Sequence, residues 1–116
     1  MDRKNIDYTI MDKRKAIKTA QQYINNVSVK YPITRALLFG SYVKGTSHDD
    51  SDIDIAVVVK DANNLFDTQI DLMHMRQNDN LLIEPHVFRE NDFDTDNPFV
   101  YEIVQTGIDL KILTQY

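Results

Sequence analysis

The chain has 116 residues, 42% of them hydrophobic and 27% charged, the profile of one globular domain with length enough for a core. A net charge of −5 argues against broad, sequence-independent binding to a nucleic-acid backbone, and the lack of cysteine excludes disulfides, thiolate zinc and a cysteine nucleophile. A cysteine-free chain fits a reducing cytoplasm, and the longest apolar run, Ile55 to Val59, is far too short for a membrane span.

Residues 1–10 show no clear period and read as a flexible arm on a single domain spanning 1–116. From Asp12 to about Lys30, Ala16, Ile17, Ala20, Tyr23, Ile24 and Val27 recur at helical spacing, which predicts an amphipathic helix ended before Pro32. Arg35 to Phe39 is a short apolar strand stopped by Gly40. Ser41 to Lys44 can make one helical turn, which the chain leaves at Gly45. Ile53 to Lys60 is dense in β-branched residues and predicts a strand. Asp61 to Asn64 is a turn with a capping residue, followed by a helix from Leu65 to about Met75 with Leu65, Ile70, Leu72 and Met73 partly buried. Leu81 to Phe88 is a third strand, and Pro85 puts it at an edge or a bulge. After an acidic loop, Asn91 to Asn97, Pro98 opens a helix to Thr106, with Gly107 expected as its left-handed cap. In this helix Tyr101, Ile103 and Val104 read as core packing, with a second-subunit contact as the alternative. Ile108 to Leu113 is a last short strand. The order implies an α+β, α/β-like fold, a small mixed sheet flanked by helices.

Chemistry concentrates between Gly40 and Asp54. A glycine-serine turn lets a phosphate approach the backbone closely, and Ser41 adds a hydroxyl donor. Side chains two apart in a strand share a face, so Asp52 and Asp54 project together, about 6 to 7 Å apart, while Ile53 and Ile55 enter the core. Such a pair repels itself unless a divalent cation sits between its members, and magnesium keeps positions open for phosphate oxygens. Two-metal phosphoryl chemistry calls for a third acid. Glu84 interrupts an apolar strand and can complete the cluster and accept a proton. Asp50, Asp52 and Asp54 also echo a calcium loop, but Ile55 stands where that loop requires glycine. Asp49 and Asp50 read as loop residues, His48 as a loop histidine and His74 as a helix-surface residue. His86 shares a face with Glu84 and could border the site, but is set aside as structural.

Gly40-Ser41, then Asp52-Ile53-Asp54 opening a β-branched strand, resembles the signature of the DNA polymerase β-like nucleotidyltransferase superfamily. Size and the run GSYVKGTSHDDSDIDIAVV make the chain most similar to its minimal nucleotidyltransferase (MNT) group, most strongly over Leu37 to Val59. The resemblance implies the nucleotidyltransferase fold, triphosphate contacts from Gly40 and Ser41, and magnesium, as two ions, on Asp52, Asp54 and Glu84. It implies transfer of a nucleoside monophosphate, AMP from ATP foremost, to a hydroxyl with release of pyrophosphate. It also implies a separately encoded helical partner of the HEPN kind, in a toxin-antitoxin pair, or a homodimer, since one small lobe leaves the acceptor to a second chain.

The chain departs from the family pattern in two places. Tyr42 and Val43 stand where basic residues often follow, leaving Lys44 to reach the triphosphate or to be solvated. The third acid is Glu rather than Asp, directly before Pro85. The depleted basic residues keep a second reading open, a binding module with the same fold and little or no turnover. Transfer to a small molecule such as an aminoglycoside ranks behind both, because related enzymes of that kind carry an additional helical domain.

Overall fold

The β-branched run after Asp52 forms the central strand β2 (Ile53–Val59), and every other sheet element is placed relative to it. The computed structural model describes residues 3–47, 51–77 and 81–113, with side chains from residue 13 onward. β1 (Ile33–Phe39) lies antiparallel to β2, and β3 (Ile83–Arg89) lies parallel to it on the other side. A two-residue β4 (Ile108–Asp109) extends β1 antiparallel, completing a mixed four-stranded sheet in the order β3-β2-β1-β4. The mixed sheet and flanking helices agree with the fold class expected from sequence.

One face of the sheet carries Ala36, Leu38, Ile55, Val57, Ile83 and Val87, and buries them under α1 (Arg3–Lys30) and α3 (Leu65–His74). The α1 stripe is the one read from periodicity: Ala16, Ala20, Tyr23, Ile24 and Val27 are buried and Ile17 packs at their margin. Leu72 is the buried centre of α3, and its carbonyl accepts a 2.5 Å hydrogen bond from the Tyr23 hydroxyl. Burial pushes that phenol above the ordinary tyrosine range. The opposite face is covered in part by α4 (Pro98–Thr106), where Leu37, Phe39 and Ala56 meet Ile103, with Phe88 and Phe93 at the margin.

Pro85 does mark an edge, since β3 is an outer strand. Its missing N–H costs no ladder bond there. Gln69 of α3 shields that edge: its amide nitrogen donates to the Pro85 carbonyl at 2.7 Å and its amide oxygen accepts from Val87 N–H at 3.1 Å. Asn64 caps α3 by accepting from Asp67 N–H, and Asn97 caps α4 by accepting from Phe99 and Val100 N–H.

Several boundaries differ from the sequence reading. The backbone expected as an arm is helical from Arg3, because no glycine or proline interrupts residues 3–30. Ile70 is exposed, since α3 turns Thr68 and Leu72 inward instead. In α4, Val100 and Ile103 are buried while Tyr101 faces solvent. Gly107 is extended (φ −76°, ψ 163°), not left-handed. Glycine is required there by proximity: a Cβ would stand 2.5 Å from the Ile103 carbonyl oxygen and 3.2 Å from that of Leu38. The last strand stops at Asp109 because Gln21 of α1 takes over the backbone beyond it, donating to the Lys111 carbonyl at 2.7 Å and accepting from Lys111 N–H at 2.9 Å.

The end of α1 is tied to α3 by Asp71, which accepts from the Tyr31 hydroxyl and pairs with Lys30 at 2.7 Å. The Lys30 ammonium, and after it the Tyr31 hydroxyl, hold the Asp71 carboxyl below the usual carboxylate value. Burial and the same carboxylate raise the Tyr31 phenol to about 12. Depressed in the folded state, Asp71 stabilises fully above its ordinary value of 3.8 and loses that contribution as pH falls through the folded value. Raised in the folded state, Tyr31 stabilises fully below its ordinary value of 10.0, a contribution lost as pH rises through about 12. We expect Asp71→Asn to lower unfolding free energy by about 1 kcal/mol at neutral pH, where exposure limits the pair's worth. Urea denaturation should show the gap between parent and variant closing as the solution is acidified past the carboxylate range.

Candidate active site

The site lies where α4 stops covering its face of the sheet. β1 ends on Phe39, the register partner of Asp54 in β2, and Asp54 is in turn the register partner of Glu84 in β3. Alternation keeps Ile53 and Ile55 in the core beneath α1, so Asp54 stands on the α4 side, with 24% of its side chain accessible. Asp52 precedes the strand by one residue and is exposed, and Glu84 is half-buried beside Asp54.

After Phe39 the chain turns through Gly40 at φ 87°, ψ −151°, a conformation that side chains rarely adopt. The sterics are more severe than the dihedrals: a Cβ on Gly40 would lie 2.4 Å from Asp54 Oδ2. The turn is thus built directly against the carboxylate. α2 (Ser41–Lys44) follows, with Val43 and Lys44 N–H donating to the Gly40 carbonyl at 3.1 Å. Gly45, left-handed at φ 79°, closes it as the sequence indicated. Tyr42 and Val43 pack against the core cluster beneath α1, which accounts for apolar residues following Ser41. Lys44 reaches away to Glu102 of α4, pairing at 2.7 Å.

His86, which the sequence alone presents as structural, borders the candidate site: its Nε2 lies 3.1 Å from Asp54 Oδ1. Its ring centroid is 5.1 Å from that of Phe39 and 6.2 Å from that of Phe99, and those two rings are 5.7 Å apart. The spacing Glu84-x-His86 on one strand was the visible signal for His86. Phe99 gave none, because only the docking of α4 brings it here. His74 is exposed on α3, away from this cluster. His48, Asp49 and Asp50 lie outside the described residues.

The donor chemistry fits a hard divalent cation, which prefers carboxylate oxygens. Asp54 and Glu84 are brought side by side, and the glycine beneath Asp54 leaves space that any other residue would fill. Among the described residues no three His, Asp or Glu side chains converge at metal-binding distance.

The mixed sheet, with a glycine turn seated against a strand carboxylate, agrees with the nucleotidyltransferase fold expected from sequence. Residues 18–113 match the family described as Polymerase beta, Nucleotidyltransferase, so the chain belongs to that family. No curated protein matches the chain. Among solved structures it is similar to a protein from Sulfolobus solfataricus described as a candidate nucleotidyltransferase, at 22% identity and a TM-score of 0.64, covering 87% of this chain and 84% of that one. It is also similar to a toxin-antitoxin structure with AMP-PNP, at 25% identity and a TM-score of 0.58, covering 78% and 72%. A mutant of the toxin-antitoxin MntA-HpeT matches at 24% identity and a TM-score of 0.52, covering 85% and 72%. These neighbours accord with the minimal group expected from sequence. Among the described residues no helix is long and apolar enough to cross a membrane.

Gly40→Ala should destabilise the protein by roughly 1 to 3 kcal/mol, through the positive φ and the clash with Asp54 together. Adding Asp54→Ala, which removes the clashing carboxylate, should recover part of that loss. Chemical denaturation of the two single variants and the double variant checks the coupling.

Proposed function

We propose that this nucleotidyltransferase domain moves AMP from ATP to a hydroxyl group on a partner protein, with magnesium held by Asp52, Asp54 and Glu84. The observation that carries this reading is the fit of Gly40 against Asp54, which puts a side-chain-free turn directly beside a metal-type carboxylate. Bound there, the cation would neutralise the triphosphate and polarise the phosphorus under attack. Gly40 admits the phosphates to the backbone, and the Ser41 hydroxyl donates to them. Glu84, in register with Asp54, receives the proton of the attacking hydroxyl. As the oxygen–phosphorus bond forms, the bond to the pyrophosphate oxygen breaks in line with it. Lys44 can leave Glu102 for the phosphates, because an exposed ion pair is worth only about 0 to 1 kcal/mol.

Support for ATP as donor and for a protein acceptor comes from the similar toxin-antitoxin structure with AMP-PNP. A helical HEPN-type partner or a second copy would complete an acceptor site beside the half-open face.

The test is pyrophosphate release from each of the four ribonucleoside triphosphates with magnesium, using host lysate as the source of acceptor. ATP should serve best, and Asp52→Ala should abolish release. Glu84→Gln should lower turnover by about 100-fold or more. Metal-dependent nucleotide binding without release from any donor would replace this reading with the binding module.

A further inference from the structure

An ionised carboxylate can only accept hydrogen bonds, so the 3.1 Å contact between His86 and Asp54 makes Nε2 the donor. This contact fixes Oδ1 from the β3 side. Oδ2 lies on the other side, in the space that a Cβ on Gly40 would take. His86 faces Ala56 in the strand register, one step along from the Asp54–Glu84 pair, so the imidazole reaches diagonally across two strands over a methyl group. Its ring is held in turn by Phe39 and Phe99. Phe99 is itself placed by the Asn97 cap, which accepts from Phe99 N–H at 2.9 Å. A run of contacts from the start of α4 therefore ends on one carboxylate oxygen.

We infer that His86 is a positioning residue, which holds the Asp54 carboxylate in the orientation that receives a divalent cation. The inference rests on the transferase reading for its purpose but not for its measurement. A hydrogen-bonded outer partner fixes the rotamer of a carboxylate ligand and lowers the ordering cost of binding. The packing alternative, a histidine that merely fills space beside two phenyl rings, makes the opposite prediction for substitutions of equal bulk.

His86→Gln keeps an N–H close to the place of Nε2, and His86→Leu keeps apolar bulk without a donor. Affinity for Mn2+, read on the free protein by the loss of its aqueous EPR signal, should fall about 10- to 100-fold in His86→Leu and stay within about threefold of the parent in His86→Gln. In an Asp54→Asn background the two substitutions should not differ. Thermal unfolding checks that both variants are folded at the temperature used. Parent-like Mn2+ affinity in His86→Leu, an equal loss in His86→Gln, or no Mn2+ binding by the parent would each overturn the inference. A parent that binds Mn2+ in this His86-dependent way yet releases no pyrophosphate would overturn the transferase reading alone. Turnover by the parent, with Mn2+ affinity insensitive to His86→Leu, would overturn the positioning role alone.

Discussion

The approach of Gly40 to Asp54 is the constraint on which the rest of the site depends. It needs β1 to end at Phe39, opposite Asp54, and the antiparallel register provides that pairing. A shift of one residue would turn Asp54 into the core and Ile55 outward, because side chains alternate along a strand. The register is held by Ile55 and Val57 on one side of β2 and Ala56 on the other, all buried. The hydrophobic core thus fixes the carboxylate to its turn, and function inherits its geometry from packing.

The two faces of the sheet divide the work. Under α1 and α3 the face is continuous and apolar, with Tyr23, Ile24 and Val27 set against the strands. Under α4 the cover is partial: Ile103 closes one end over Leu37 and Ala56, while Asp54, Glu84 and His86 stay half open beyond it. Leaving charged groups at that margin avoids the cost of burying them unpaired. It also leaves them within reach of a ligand, with Phe99 as the last residue of the apolar cover.

Features of the sequence with a local physical cause were legible in it. The β-branched run of β2, the alternation that separates Asp54 from Ile53 and Ile55, the stripe of α1 and the edge position implied by Pro85 all follow from short-range rules. What was not legible depended on neighbours far along the chain. Gly107 read as a left-handed cap because glycine commonly ends helices, whereas here the nearby carbonyls of Ile103 and Leu38 leave no space for a Cβ. The last strand is shorter than the alternation from Ile108 to Leu113 implies, because Gln21, far away in the chain, claims the backbone of Lys111. His86 shows the same limit at the site: strand phase put it beside Glu84, but only the parallel pairing of β3 with β2 brings its ring to Asp54.

The departures at Tyr42 and Val43 then have a structural explanation. α2 is only four residues long and cannot hold its own orientation by backbone bonding. Packing those two side chains against the core beneath α1 anchors it instead. The positions that could carry positive charge toward a phosphate are thereby spent on fixing the turn. In the proposed reaction, neutralising the donor falls to the cation held by the carboxylates and to Lys44 once it leaves Glu102. A lysine parked on an exposed acid of α4 costs little to recruit. The same exchange would free Glu102 on the surface of the helix that bears Phe99, so in the proposed reaction donor binding and the exposed surface of α4 would be linked through a single side chain.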